Sequence, residues 1–225
     1  MSYTFVYLIY ALMFCALWGV LFVLRPDLRR RMFLFSLCAL PLGPVSEIWY
    51  LRDYWQRPTV TGLSVSVEDF LFAFALGGIT YALYKVVDRK QVGASGHPRR
   101  MWLLGAFALT IVLALVVGTD MFGFNSVLVS IVVFLSFAVV MWSFRPDLMY
   151  GSLATGVLIL ALFFLIYQTL EAIFPGVLVS FCTSCNPSGV RLFGINIEEL
   201  GWDFAWGLVG GIVLETVRGH AFTQA

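Results

Sequence analysis

Charge is what this sequence has least of. Of its 225 residues, 12% are charged and 60% are hydrophobic, whereas a soluble domain carries about 25% charged residues. That deficit argues against a soluble fold. The apolar runs are continuous and do not alternate, which argues against a transmembrane β-barrel. A net charge of +1 gives no bulk field to attract nucleic acid. There are two histidines, His97 and His220, and four cysteines. Cys182 and Cys185 form a C-x-x-C, but zinc needs about two more ligands, and both histidines are expected on the opposite face of the membrane. No metal is therefore expected, and the pair reads as a local disulfide or two free thiols. Cys15 and Cys38 fall inside apolar runs and read as small core hydrophobes. No G-x-x-x-x-G-K-[ST] or G-x-G-x-x-G is present to cradle a nucleotide or flavin. No D-x-x-x-D suggests magnesium–diphosphate binding, and no lysine lies in the last apolar segment to hold a retinal.

What the chain has instead is length of apolar sequence. A bilayer-spanning helix needs about 20 such residues, and seven stretches qualify, at roughly 4–24, 32–51, 67–87, 101–119, 125–144, 153–174 and 197–217. The first lacks a basic leading region and is too long for a cleaved signal, so it reads as an anchor. Arg25, Arg29, Arg30, Arg31, Lys85, Arg89, Lys90, Arg99, Arg100, Arg145 and Arg218 then fall on one side, and only Arg52, Arg57 and Arg191 on the other. The positive-inside rule puts the N-terminus outside and the C-terminus in the cytoplasm. The expected fold is an all-α polytopic transmembrane bundle, consistent with a prokaryotic cell membrane, the lipid bilayer being its first partner. A homo-oligomer is compatible with it.

The chain also repeats itself. Arg25-Pro26-Asp27-Leu28 recurs as Arg145-Pro146-Asp147-Leu148, offset by 120 residues, and a carboxylate pair, Glu68-Asp69, recurs as Glu198-Glu199, offset by 130. In each Arg-Pro-Asp-Leu, proline stops one helix and Asp is placed to cap the next. The expected organisation is one transmembrane domain with repeat one at about 4–87, a linking loop and helix at about 88–122, and repeat two at about 125–217. An odd number of spans between the copies makes the repeats parallel, and sites tend to form where such repeats meet.

The carboxylates are the candidate chemistry. A charge at the centre of a membrane helix costs about 2.5–3.5 kcal/mol, less near its ends. Glu68, Asp69, Glu198 and Glu199 open helices, where the helix dipole favours them; they read either as interface caps or as functional acids. Glu199 and Asp203 are four residues apart and share a face, and two like charges in one apolar site favour keeping one protonated, a donor beside an acceptor. Glu47 and Glu171 send a second tier of acids to the same depth, with Arg52, Arg57 or Arg191 as partners. Lys85 and Glu215 are placed to pair between the repeats. Trp49, Tyr50, Tyr54, Trp55, Trp202 and Trp206 read as an interfacial belt or as the walls of a cavity. Aromatic faces stabilise a cation by roughly 0.5–2 kcal/mol, and acids interleaved with them suit protonation of an alkene.

Two three-helix units, each with a carboxylate pair opening its third helix, resemble the lycopene cyclase domain of small membrane carotenoid cyclases, in their fused two-unit form. The stretches that carry the resemblance are Ser66-Val67-Glu68-Asp69-Phe70-Leu71-Phe72, Asn196-Ile197-Glu198-Glu199-Leu200 and the run from Trp49 to Trp55. Ser66 and Asn196 stand where that family typically has proline. The resemblance implies a redox-neutral, cofactor-free cyclisation of the ends of a linear carotenoid or other isoprenoid. It makes Glu68 and Glu198 the first candidates for acid or base, with Asp69 and Glu199 next and Glu47, Glu171 and Asp203 supporting. Trp49, Trp55, Phe72, Trp202 and Trp206 would contact the substrate. A non-catalytic carotenoid binder and a small proton-coupled transporter are the alternatives.

Overall fold

The computed structural model describes residues 3–87, 91–93, 102–182, 187–218 and 221–223. Within them the chain is an all-α bundle: α1 Val6–Leu24, α2 Arg29–Ala39, α3 Leu42–Asp53, α4 Val67–Val87, α5 Trp102–Leu115, α6 Ser126–Phe144, α7 Met149–Ile173, the one-turn α8 Val177–Ser180, and α9 Ile197–Arg218. A π-helical turn, Val116–Met121, prolongs α5. Six segments are long and apolar enough to cross a membrane: Val6–Leu24, Arg29–Asp53, Val67–Val87, Trp102–Met121, Ser126–Phe144 and Pro146–Ile173. The 22-residue α9 has similar length but carries Glu198, Glu199, Asp203 and Glu215. Two short antiparallel ladders complete the fold. β1 (Gln91–Gly93) pairs with β4 (Ala221–Thr223), and β2 (Arg191–Leu192) pairs with β3 (Ile195–Asn196). Phe193 (φ 52°) and Gly194 (φ 83°) form the two-residue turn between β2 and β3, both residues at positive φ as a tight hairpin requires.

The second span differs from the single helix expected over 32–51. It begins at Arg29 and breaks at Leu40–Pro41. Pro41 has no N–H to bond the preceding turn, and Pro44 removes another donor, so the helix changes direction there. Gly43 lies between the two prolines, where a Cβ would collide with the Asp69 carbonyl and lie 2.8 Å from the Ala73 Cβ. The kink and the missing side chain together lay α3 against the first turn of α4.

α4 packs between α1 and α2, α9 packs between α6 and α7, and α4 and α9 meet at the centre. Glycines permit the close approaches. A Cβ on Gly77 would lie 2.6 Å from the Ala39 Cβ and 3.1 Å from the Phe35 carbonyl, and one on Gly207 would lie 2.7 Å from the Gly156 Cα and 3.0 Å from the Thr155 carbonyl. Positions 35 and 155, and 77 and 207, are separated by the same 120 and 130 residues as the sequence motifs.

At the basic end of the bundle the two Arg-Pro-Asp-Leu turns have one geometry. Arg25 donates to both oxygens of Asp27 (2.9 and 2.8 Å), and Arg145 to both of Asp147 (2.8 and 2.7 Å). This corrects the expected capping role: Leu28 stands at the α2 cap with no side-chain bond, and the aspartates instead hold the arginine two residues back. The Arg25 guanidinium keeps the Asp27 carboxyl below its usual pKa. Lys85 and Glu215 pair as expected, at 2.9 Å, and Tyr81 also donates to Glu215 (3.2 Å). Cys38 is exposed rather than in the core. On a lipid-facing surface that position is still apolar, so the thiol pays no polar cost.

Filling the glycine contacts should be costly. Gly207→Leu is expected to destabilise the bundle by about 1–3 kcal/mol, because backbone opposes the new side chain. Gly105→Ala, where nothing lies within 4 Å, should be neutral or slightly stabilising. Thermal unfolding in detergent, followed by size-exclusion chromatography, compares the two. Equal melting of Gly207→Leu and the parent would contradict the packing described.

Candidate functional site

At the opposite end the candidate carboxylates other than Asp203 take one of three kinds of partner: loop amides, a guanidinium or tyrosines. Glu68 and Glu198 are tied to loops. The Val60 amide donates to Glu68 (2.8 Å) and the Ser188 amide to Glu198 (2.8 Å), and both side chains are buried beneath those loops. Glu171 also serves a loop, accepting from the amides of Gly176 (2.6 Å) and Leu178 (3.3 Å). The structure does not bring it to the other acids.

Asp69 and Glu47 share a cation. Asp69 reaches back to the Ser66 amide (2.7 Å), the return half of a capping box that starts α4. Its other oxygen receives Tyr7 (2.7 Å) and the Arg57 guanidinium. Arg57 also faces Glu47 at 3.1 Å, and Trp55 donates to that same Glu47 oxygen (3.1 Å). The guanidinium lies over the rings of Tyr7 (4.2 Å) and Trp55 (5.1 Å). Burial works to lower the pKa of Arg57, but Tyr7, Glu47 and Asp69 outweigh it and raise it, so the cation is permanent. Of the three arginines named as partners, Arg57 meets an acid of the cluster, Arg52 pairs with Asp120 (2.9 Å), and Arg191 donates to Asn196 (3.0 Å).

Glu199 occupies the position in α9 that Asp69 occupies in α4, with different neighbours. Tyr54 donates to one oxygen (2.5 Å) and Tyr167 to the other (2.9 Å). Among the described residues no cation pairs with it. Burial first, and then the Glu199 carboxylate, hold the Tyr54 hydroxyl far above the usual phenol range, so it remains a donor. One turn along, Asp203 is buried, and neither of its oxygens has a hydrogen-bond partner among the described residues.

These groups border an apolar cavity of about 310 Å³, at the lower end of the range for small-molecule sites. Glu47, Asp69 and Glu199 line it, with Tyr7, Tyr10, Tyr50, Tyr54 and Tyr167. Of the aromatics singled out in the sequence, Trp55, Phe72, Trp202 and Trp206 form its wall. Trp49 instead donates to Asp120 (3.1 Å). Trp202 and Trp206 stack with centroids 6.1 Å apart, and their N–H groups are satisfied by Tyr50 (3.0 Å) and Thr80 (3.0 Å). A second cavity of about 60 Å³ lies toward the loops, lined by Gly194 and Asn196, and shares Tyr54, Tyr167 and Glu199 with the first. The tyrosines of α1 and α7 were not singled out from sequence. The signal was present, since Tyr7, Tyr10 and Phe14 recur on one helical face. Cys182 is disulfide-bonded and bridges by its backbone to Trp55; Cys185, His97 and His220 lie outside the described residues. No group of three or more candidate metal ligands occurs among the described residues.

Removing the shared cation should be severe. Arg57→Met leaves Glu47 and Asp69 buried without it, which costs about 3–5 kcal/mol for a broken buried pair. The expected outcome is loss of the monodisperse size-exclusion peak, with part of it restored when Glu47→Gln and Asp69→Asn are added. A variant Arg57→Met that melts like the parent would contradict the clamp.

Residues 125–217 match the family model described as lycopene cyclase. No curated protein and no solved structure matches the chain. The matched segment contains α6, α7 and α9, and with them Tyr167, Glu198, Glu199, Trp202, Asp203 and Trp206. The match supports a carotenoid cyclase-like function in a membrane lipid environment, and residues 125–217 of the chain are similar to the lycopene cyclase family.

Proposed function

We propose that this protein is a carotenoid cyclase that closes rings at the ends of a linear carotene by proton transfer alone, with Glu199 at the centre of the chemistry. The observation that carries this reading is the setting of Glu199: a carboxyl on the wall of an apolar, aromatic-lined cavity, held by two tyrosines, with no cation paired to it among the described residues. Asp69, its counterpart in α4, is committed to Arg57. Glu68 and Glu198 are committed to loop amides. The reading therefore moves the acid–base role from Glu68 and Glu198 to Glu199, with Asp203 beside it.

The reaction is redox-neutral. A proton adds to the terminal trisubstituted double bond and leaves a tertiary cation. The electrons of an internal double bond close a six-membered ring, and the positive charge moves to a ring carbon. Loss of a proton from a neighbouring carbon then forms the ring double bond. One proton enters and one leaves, so a single carboxyl pair can serve as donor and acceptor. Glu199 faces the cavity, while Asp203, one turn away with no hydrogen-bond partner among the described residues, holds a proton in reserve for it. The faces of Trp202, Trp206 and Tyr10 support the cationic intermediate without offering it a nucleophile stronger than a phenol. The small cavity behind Tyr54 and Tyr167 is large enough to admit water, and it supports exchange of the Glu199 proton with solvent on the loop side.

The parallel repeat and the orientation with the N-terminus outside belong to the same proposal. The repeat is supported by the matched glycine contacts and arginine–aspartate pairs, the orientation by the distribution of basic residues.

The test is conversion of lycopene in a lycopene-accumulating bacterial strain, with pigments separated by chromatography and weighed by mass spectrometry. The parent chain is expected to give a product of unchanged mass with cyclic end groups. Glu199→Gln should lower conversion by about 100-fold or more while the protein stays monodisperse. Tyr54→Phe and Tyr167→Phe should give smaller losses. If Glu199→Gln converts normally while Glu68→Gln or Glu198→Gln is inactive, the assignment to Glu199 is wrong. Proton-coupled flux in liposomes without any cyclic product would favour a transporter instead.

A further inference from the structure

The apolar cavity reaches the surface, and the place where it does so is informative. Its lining includes Val45 of α3, 40% exposed, and Val112 of α5, 37% exposed, with Ala108 exposed beside it. Val112 is near the middle of the 20-residue segment Trp102–Met121. At 1.5 Å per residue it lies about 15 Å from either end of that helix, at the depth of acyl chains rather than of water. The opening exists because α3 and α5 pack on other helices. α3 lies against α4 and α6, and α5 lies against α6 and α9. The break at Pro41, itself part of the lining, separates α3 from α2.

Above the opening the same helices are tied together. Asp120, on the π-helical turn that ends α5, accepts from Trp49 (3.1 Å) and pairs with Arg52 (2.9 Å) of α3. Asp53 at the end of α3 accepts from the Ser126 amide (2.7 Å) and hydroxyl (2.5 Å) at the start of α6. The cleft is thus bridged by polar contacts toward the loops and lined by small or branched apolar side chains at mid-depth.

We propose that a long apolar hydrocarbon enters this cavity sideways from the bilayer, between α3 and α5, and that Ala108 and Val112 set the width of the ligand that passes. The occupant is the linear carotene of the preceding section, and the inference rests on that reading. A cavity of about 310 Å³ takes one end of such a molecule, and the remainder lies outside the opening among lipid chains.

The experiment uses the full-length chain and its variants Ala108→Trp, Val112→Trp and, as a control, Leu109→Trp on the outward face of α5, where the side chain is 59% exposed. Two readouts are taken from the lycopene-accumulating strain: cyclised product per unit of membrane protein, and lycopene retained by the protein after purification in detergent. Ala108→Trp and Val112→Trp should lose about tenfold in both, and Leu109→Trp should match the parent. If the two blocking variants match the parent in both readouts, the entry route is overturned and the chemistry stands. If the parent retains lycopene without cyclising it, and the blocking variants do not retain it, the chemistry falls and the route stands. A parent that neither converts nor retains lycopene overturns both.

Discussion

A carboxylate inside an apolar bundle must find a partner or carry a proton, and that constraint organises one whole end of this molecule. The chain meets it in three ways. Backbone amides of the connecting loops serve Glu68, Glu198 and Glu171. A guanidinium serves Glu47 and Asp69 together. Two tyrosines serve Glu199. Each solution fixes something else: the amide bonds seat the loops, Arg57 ties the segment after α3 to α4, and the tyrosines draw α7 and the end of α3 toward α9. Asp203 is left with no such partner among the described residues, and it lies one helical turn from the carboxyl given the chemical role.

The two halves share several features and differ in the partner of the second acid. Both place a carboxylate pair at the start of a helix, both bury the first acid of the pair against a loop amide, and both admit that helix through a glycine facing a neighbouring backbone. In the first half the second acid, Asp69, is neutralised. In the second half Glu199 has phenols in place of a cation. Neutralisation makes Asp69 a structural anchor whose charge is fully committed. Phenols hold a carboxylate in position without fixing its proton. On the proposed function, the asymmetry leaves Glu199 as the carboxyl free of a guanidinium on the wall of the aromatic-lined cavity.

Much of this was legible in the sequence because it depends on local pattern. Continuous apolar runs gave the helices within a few residues, and the recurring motifs picked out Glu68, Asp69, Glu198 and Glu199. The place of Lys85 opposite Glu215 followed from their equal spacing after the carboxylates. The pattern did not reveal which partner each acid takes, because those partners are remote in sequence. Tyr7 is 62 residues from Asp69, and Tyr54 is 145 from Glu199. Helical periodicity identifies the faces of one helix but not the neighbour each face meets. The break at Pro41 was passed over because the apolar run on both sides reads as one span, although Pro41 and Pro44 carried the signal. The role of Arg57 lay in a loop, where period carries no information.

The central claim is that the protein transfers protons and nothing else, through a carboxyl that exchanges with water on the loop side and faces hydrocarbon on the other. Cyclisation of lycopene by the purified protein in heavy water tests this directly. Each ring formed should add one deuterium, because the proton that enters comes from an exchanged acid and the proton that leaves was carbon-bound. The product should therefore gain one mass unit per ring. Ring formation without any gain in mass would contradict the account.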